Sequence, residues 1–213
     1  MPARPNFQVL QGQNPQQALR ELLQEDLEKN LDDWFIFRLG ASTADLRATP
    51  LGGARFPVQA YLDNRVFAKF NLDVGLGDAV VSEPEWITGH QLLSFAGIQP
   101  ARIALLPLNQ QFAEKIHAYS FPREQSSRVR DLVDLVLLIE NGLPECGQII
   151  QALQATFNRR NTHALPIRLA SPPIEWKEPY SALADQYHIR YATIETAYQF
   201  LLDYWSQLEI SVD

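Results

Sequence analysis

The sequence lacks the features of a secreted or membrane-embedded protein. Cys146 is the only cysteine among 213 residues, so the chain cannot form an internal disulfide. The longest apolar runs, such as 132–139, are interrupted by Asp134 and fall far short of the roughly 20 apolar residues that span a bilayer. The N-terminus has no charged segment followed by an apolar one, which a secretory signal requires. We therefore expect a cytoplasmic protein with no membrane segment.

Several well-known enzyme motifs are also missing. The sequence contains neither a Walker-type glycine loop nor a Gly-x-Ser-x-Gly nucleophile elbow. Its four histidines are not spaced as zinc ligands, and a single cysteine excludes a thiolate cluster. The chain therefore carries none of the motifs that would assign it to those enzyme classes or to the zinc proteins.

Positive charge is scarce. Lysine and arginine number 18 against 25 aspartates and glutamates, and the net charge is −7. This argues against a dedicated DNA-binding protein, because nucleic-acid affinity rests largely on cations that contact phosphates. Residues 101–168 differ, since they hold 8 basic and 6 acidic side chains. This locally basic part fits a ligand that carries phosphate, and it equally fits a chance distribution of charge.

The order of the periodic patterns predicts an α+β fold. Apolar residues at helical spacing predict a helix over 15–30, whereas later segments alternate as strands and turn at Asp63-Asn64. We predict a sheet domain over 1–108, followed by a helical region over 109–213 that packs on it. The predicted strands are 34–39, 56–62, 66–73 and 103–106, and the predicted later helices are 109–120, 127–140, 145–157, 179–187 and 192–208.

A carboxylate stands at the end of one predicted strand. Alternation over 66–73 places Asp73 on the polar face, and Gly75 and Gly77 follow directly. A carboxylate at a strand end beside a glycine-containing loop can bind a metal or act as a base. The pattern also fits a hairpin end with solvated acids, and both interpretations stay open. The apolar face of this strand is predicted to hold Val66, Ala68, Phe70 and Leu72.

Lys115 lies at the border of an apolar helix face. In the predicted helix 109–120, Phe112, Ile116 and Tyr119 recur at spacings that place them on one side. A lysine beside that side can extend its ammonium into a neighbouring cleft, where a flexible point charge suits a triphosphate. The alternative is a boundary lysine that extends to water.

The most apolar predicted helix carries two carboxylates. Asp131 and Asp134 project from one side of it, with Arg130 beside them and Arg128 at its start. Carboxylates on a largely buried helix are unfavourable unless they are paired, hydrogen-bonded or near solvent. The segment fits either an internal Arg–Asp network or a site that orients Lys115 and a nucleotide.

Five segments together resemble one known family, the AbiEii/AbiGii-like nucleotidyltransferase toxins. Three of them contain the residues considered above: Phe-Asn-Leu-Asp-Val-Gly-Leu-Gly-Asp (70–78), Gln-Phe-Ala-Glu-Lys-Ile-His-Ala (111–118) and Arg-Val-Arg-Asp-Leu-Val-Asp-Leu (128–135). Two more are Phe-Asn-Arg-Arg-Asn-Thr-His-Ala-Leu-Pro (157–166) and Pro-Pro-Ile-Glu-Trp (172–176). The resemblance covers about 30–190, and its lysine and Arg-x-Arg-Asp-x-x-Asp segments are the most specific.

The resemblance implies a polymerase-beta-like nucleotidyltransferase core, with a mixed sheet and helices, and a helical C-terminal region. It implies a nucleoside triphosphate and Mg²⁺ as cofactors if the chain is active, and none otherwise. It also implies an antitoxin partner and a tRNA or other RNA acceptor. Lys115 would match the family's phosphate-contacting lysine, Asp131 its later catalytic-site aspartate, and Asp73 the carboxylate on the strand after the metal pair. The other nucleotide- or phosphate-binding candidates are Arg128, Arg130 and Asp134.

The chain departs from the family pattern near its N-terminus. Family members carry a Gly-Ser signature and then an Asp-x-Asp metal pair on a strand. Here that strand corresponds to 4–10, and Asn6 and Gln8 stand where the two carboxylates are expected. Neutral amides are much poorer ligands for magnesium than carboxylates. We expect either a chain truncated at its N-terminus or a degenerate member that has lost metal-dependent transfer.

Three hypotheses follow from the sequence. The first is a nucleotidyltransferase-family protein, active now or only in its ancestors, that acts on RNA or protein with a nucleoside triphosphate. The second is a non-catalytic relative that binds a nucleotide, an RNA or a protein partner. The third is an α+β interaction protein in which the charged helix has only a structural role.

Overall fold

A computed structural model of the chain describes residues 15–29, 34–46, 51–77, 81–92, 94–122 and 128–210. The chain divides into two compact units, Met1–Asp78 and Ala79–Asp213. Asn6 and Gln8, where the metal pair was expected, lie outside the described residues. Strands and helices in the described ranges form an α+β fold, as the sequence predicts.

The first unit combines one helix with an antiparallel sheet. Helix α1 (Pro15–Leu27) precedes four strands, β1 (Phe35–Leu39), β2 (Ala44–Asp45), β3 (Gly53–Leu62) and β4 (Arg65–Gly75). Strand β3 pairs antiparallel with each of the other three, whereas β4 pairs with β3 alone among the described strands. The described part of the chain therefore shows an antiparallel sheet where the resemblance implied a mixed one.

The alternation in β3 builds the core of the first unit. Period-two geometry places every second side chain on one face, and that face is buried. Leu19 of α1 and Leu39 of β1 belong to the same apolar cluster. The alternation within 56–62 predicts Phe56, Val58, Ala60 and Leu62 on one face, and only Leu62 departs from it, because it is 37% exposed at the end of the strand. The buried residues of β3 are Ala54, Phe56, Val58 and Ala60.

Strand β4 departs from its predicted alternation because it contains a bulge. The register with β3 shifts between Ala60 and Tyr61, which leaves Phe67 as an extra residue on β4. Val66 now pairs with Tyr61 and shares its face, so the prediction that Val66 lies on the apolar face was wrong. Phe70 was also predicted on that face, yet 47% of its surface remains exposed.

The second unit begins with a two-stranded hairpin that the sequence predicted only in part. Strand β5 (Glu85–Thr88) pairs antiparallel with β6 (Arg102–Leu105). Only the second strand was predicted, because the first is short and lies in a region of mixed composition. The guanidinium of Arg102 lies 5.3 Å from the centre of the Trp86 ring, a cation–π contact across the hairpin.

Five helices follow in the described residues, close to where the sequence predicted them. Helix α2 begins three residues after β6 ends, although the domain boundary placed at residue 108 stays a prediction. No described helix is both long enough and apolar enough to cross a membrane. The helices are α2 (Leu108–Ser120), α3 (Val129–Glu140), α4 (Cys146–Arg160), α5 (Lys177–Tyr187) and α6 (Ile194–Gln207).

Helix α3 lies at the centre of the helical core. It contacts α2, α5 and α6, which explains why its sequence is apolar almost all round. Leu132, Leu135 and Val136 of this helix are fully buried. They share one apolar cluster with Phe112 of α2 and Tyr180 of α5. A rigid centre of this kind fixes the positions of the polar side chains at its margins.

Candidate functional site

Lys115 lies at the edge of the packed surface between α2 and α3. Phe112 and Ile116 of α2 are fully buried in the core that α3 shares. Lys115 precedes Ile116 by one residue, so its stem leaves the helix beside the apolar side, and 37% of the side chain is exposed. This is the border position that the helical spacing predicts.

Two carboxylates of α3 hold the Lys115 ammonium. Its Nζ atom lies 2.5 Å from Asp134 Oδ2 and 3.4 Å from Asp131 Oδ1. Burial works to lower the pKa of Lys115, but the hydrogen bonds and charges of Asp134 and Asp131 outweigh it and raise that pKa. The lysine is therefore a fixed positive charge, partly open to a ligand.

Asp131 bridges two cations. Its Oδ1 faces Lys115, and its Oδ2 accepts a hydrogen bond of 3.2 Å from Arg128 Nη1. The Asp131 side chain is only 7% exposed, and a carboxylate so deeply buried needs this compensation. The internal Arg–Asp network that the sequence left open is therefore present, and it uses Arg128.

Arg130 takes a different place from its neighbour Arg128. It is exposed on the first turn of α3, and no described residue forms an ion pair with it. The structure thus brings Lys115, Arg128, Asp131 and Asp134 together. We refer to these four residues as the Lys115 cluster.

Asp73 belongs to the first unit and forms its own ion pair. Its two carboxylate oxygens each lie 2.6 Å from the guanidinium of Arg55, the residue opposite it in the β3–β4 ladder. The hydrogen bond from Arg55 lowers the pKa of Asp73, and Asp73 in turn raises the pKa of Arg55. Both side chains are nearly half exposed, so the carboxylate remains accessible.

The described carboxylates do not by themselves fit a magnesium site. Both oxygens of Asp131 face cations, and Asp134 is paired with Lys115. No three acidic, histidine or cysteine side chains in the described ranges are grouped so that they could hold a metal. Asp73 would have to leave Arg55 to bind one. Its predicted metal role therefore stays a prediction.

A second polar cluster, which the sequence analysis missed, joins the end of α2 to the loop after α4. Thr162 Oγ1 lies 2.8 Å from His117 Nε2 and 3.0 Å from His163 Nδ1. Ser120 Oγ lies 2.8 Å from His163 Nε2 and donates to the Ile116 carbonyl oxygen at the same distance. The two imidazole rings lie 4.6 Å apart. His117 and Thr162 are 45 residues apart in sequence, and Ser120 and His163 are 43 apart, so no spacing rule reveals the cluster.

One assignment of protons satisfies every group in this hydrogen-bond chain. Because the single Ser120 hydroxyl proton goes to a carbonyl, His163 donates from Nε2 to Ser120. His163 Nδ1 then accepts from Thr162, which in turn accepts from His117 Nε2. Both imidazoles are neutral in this arrangement. Protonation of His163 would place a hydrogen on Nδ1, where the chain needs an acceptor. Protonation of His117 would add a positive charge near those of Arg160 and Arg128.

The pKa of His117 is lowered to about 4 by burial, with further contributions from its electrostatic interactions with Arg160, His163 and Arg128. The unfolded chain should bind this proton near pH 6.5, its ordinary pKa, whereas the folded protein resists it until about pH 4. We therefore expect the free energy of unfolding to fall between these values by up to about 1.4 kcal/mol per pH unit. Urea unfolding at a series of pH values measures this slope.

His117→Gln provides the control for that slope, because it keeps a side-chain donor but cannot titrate. The variant should show a shallower loss of stability on acidification. Some slope should remain, since burial also lowers the pKa of His163. An unchanged slope in the variant would contradict the assignment of a neutral His117.

An ion pair supports the contact between α2 and α4 near these histidines. Arg160 of α4 pairs with Glu114 of α2, and both side chains are largely buried. The side-chain amide of Gln110 in α2 donates hydrogen bonds to Thr156, at 3.0 Å, and to Glu114, at 3.1 Å. Helix α2 therefore packs against both α4 and α3.

Comparison with known proteins identifies the family of the chain. Residues 7–203 match the family model described as nucleotidyl transferase AbiEii toxin, type IV TA system. The matched range contains all the site residues predicted from the sequence. A comparison with curated proteins gave no match. On the strength of the family match, the chain belongs to the AbiEii nucleotidyltransferase toxins of type IV toxin–antitoxin systems.

Proposed function

We propose that the protein binds a nucleoside triphosphate at the Lys115 cluster and transfers its nucleotide to an RNA acceptor, in particular tRNA. A polymerase-beta-like core is part of this proposal. Family membership supports nucleotidyltransferase chemistry and implies an antitoxin partner. The observation that carries the proposal is the Lys115 ammonium, which two carboxylates hold charged and in place at a partly exposed position.

The role of Lys115 follows from the charge changes in nucleotidyl transfer. The acceptor hydroxyl oxygen bonds to the α-phosphorus while the bond to pyrophosphate breaks, so negative charge accumulates on the departing phosphates. A fixed cation at that position stabilises the charge most when it needs no rearrangement. Asp131 and Asp134 provide this by holding Lys115, and the exposed Arg130 adds a cation that a phosphate can reach.

A second candidate function is a non-catalytic relative that binds a nucleotide, an RNA or a protein partner. One observation favours it: both oxygens of the buried Asp131 are already bonded to cations. The amides Asn6 and Gln8 at the expected metal pair point the same way. The two candidates differ in whether magnesium changes nucleotide affinity.

Calorimetric titration of each of the four nucleoside triphosphates, with and without Mg²⁺, separates these functions. The proposed transferase should bind at least one of them more tightly with Mg²⁺. When that nucleotide carries a radioactive α-phosphate, the transferase should transfer the label to tRNA. Binding that ignores Mg²⁺, without labelling, would favour the non-catalytic relative. Absence of binding under every condition would contradict both nucleotide-based functions.

Asp73→Ala tests the predicted metal role of that carboxylate, with Arg55→Ala as its matched control. Each substitution removes the same exposed ion pair, so their effects on stability should be small and similar. If Asp73 serves as a metal ligand, only Asp73→Ala should abolish the effect of Mg²⁺ on triphosphate binding. The same calorimetric titration measures this. Equal magnesium dependence in the two variants would contradict the predicted metal role of Asp73.

A further inference from the structure

A polar groove runs along the C-terminal half of α4 and the loop that follows it. It has a volume of about 470 Å³, within the range of sites that bind small molecules. Lys115 and its ion-pair partners are not among the residues that line it. The lining includes Gln154, Phe157, Asn158, Asn161, Thr162 and His163.

Side-chain amides dominate the polar part of this lining. Gln154 and Asn158 are four residues apart on α4, so they project from the same side, and both are exposed. Asn161 ends the helix in the left-handed conformation, with φ of 46°. Each amide offers one acceptor oxygen and two donor hydrogens. Asn and Gln use that combination to form paired hydrogen bonds with the edges of nucleobases, adenine above all.

His163 contributes a fixed ring surface to the groove. Its two nitrogens are already bonded to Thr162 and Ser120, so the ring has no free nitrogen for a ligand or for proton transfer. The Phe157 ring contacts it edge-on at 5.0 Å and restricts its orientation. Burial lowers the pKa of His163, which keeps the ring uncharged near neutral pH. Neutral, immobile rings of this kind are used to stack unpaired bases.

The charge around the groove suits RNA in an otherwise acidic protein. No acidic residue is among the described residues that line it, although the chain holds 25 aspartates and glutamates. Arg159 is exposed on the last turn of α4, directly after Asn158. A lining without acidic side chains, next to an exposed cation, favours binding of a phosphate backbone.

A pair of histidine rings connects the groove to α2, the helix that carries Lys115. The ring of His163 packs on His117, which is two residues beyond Lys115 on α2. On a helix, this spacing places the two side chains on nearly opposite sides of the same turn. The groove and the Lys115 cluster are therefore reached from different sides of α2.

We propose that this groove binds one unpaired base of the RNA acceptor, with Gln154 and Asn158 reading its edge and His163 supporting its face. The proposal rests on the RNA acceptor of the proposed function. It adds a determinant of acceptor choice that is distinct from the triphosphate site.

The test measures binding of short single-stranded RNA homopolymers, oligo(A), oligo(C), oligo(G) and oligo(U), by fluorescence anisotropy. Asn158→Ala and Gln154→Ala should each weaken binding of one preferred homopolymer by about tenfold or more, because paired amide–base contacts discriminate by that order. Gln151→Ala is the matched control, since Gln151 is an exposed amide on α4 that does not line the groove. It should leave every affinity unchanged.

Triphosphate titration of the same variants separates this proposal from the proposed function. Groove variants that lose RNA affinity but keep triphosphate affinity would support a separate base site. Loss of homopolymer preference in the groove variants would support it even if the unaltered protein bound no triphosphate. Groove variants that bind every homopolymer as Gln151→Ala does would overturn it, and so would an unaltered protein that binds no RNA.

Discussion

Lys115→Ala should strongly weaken the binding of nucleoside triphosphates. Removal of a partly buried cation from a phosphate contact costs about 2–5 kcal/mol, which corresponds to a weakening of roughly 30-fold or more. Stability should change little, because Asp131 keeps its bond to Arg128 and Asp134 is 39% exposed. Calorimetric titration with the preferred nucleotide measures the affinity, and thermal unfolding monitored by circular dichroism measures stability.

Lys177→Ala is the matched control for this substitution. Lys177 also pairs with a carboxylate, Glu195, at 3.0 Å, but both side chains are more than half exposed. Its removal should leave triphosphate affinity unchanged. Equal affinities in Lys115→Ala and the unaltered protein would contradict the proposed site, because no other described lysine is held between two carboxylates in this way.

Asp131→Ala should reduce the free energy of unfolding by about 2–3 kcal/mol. The substitution removes a buried acceptor that serves two cations, and hydrogen bonds to charged groups contribute about 1.5–3 kcal/mol each to stability. It also removes the one acidic side chain in the first turn of α3, where a negative charge is favourable. Urea unfolding of the variant and of the unaltered protein measures the difference.

Asp134→Ala tests whether burial of the carboxylate, and not only its charge, determines the loss of stability. It also removes a partner of Lys115, but the Asp134 side chain is 39% exposed, so its loss should cost less than about 1 kcal/mol. Equal losses in the two variants would show that Asp131 is not the central member of the network. The triphosphate affinity of Asp131→Ala is a second measurement. If Asp131 has only a structural role, the folded variant should bind triphosphate as the unaltered protein does.

Local patterns were sufficient to predict the elements that carry the candidate site. The spacing of Phe112 and Ile116 placed Lys115 at the border of its helix, and the apolar composition of α3 indicated that Asp131 needed a partner. The hairpin turn was also readable from sequence. Asp63 and Asn64 both adopt positive φ angles, of 48° and 58°, as a tight two-residue hairpin turn requires.

Features that depend on distant pairing were not predictable from one sequence. The bulge at Phe67 depends on the register with β3, so the alternation within β4 gave no sign of it. The hydrogen bond between His117 and Thr162 joins residues 45 positions apart. Arg128 and Arg130 are alternatives on the same helical turn, and only the packed structure shows which of them reaches Asp131.

The bulge and the charges of β4 have a consequence for how copies of this protein behave towards each other. Among the described strands, β4 lies at an edge of its sheet. An edge strand offers unpaired backbone groups to which another chain can add a strand, with aggregation as the result. Along β4, Arg65, Lys69 and Asp73 place an exposed charge at every fourth residue, and the extra residue Phe67 interrupts the regular ladder. Charges and bulges are the usual means by which such an edge is kept from self-association. We therefore expect the bulge and the charges of β4 to reduce aggregation in concentrated solutions. One of these charges, Asp73, is also the predicted metal ligand.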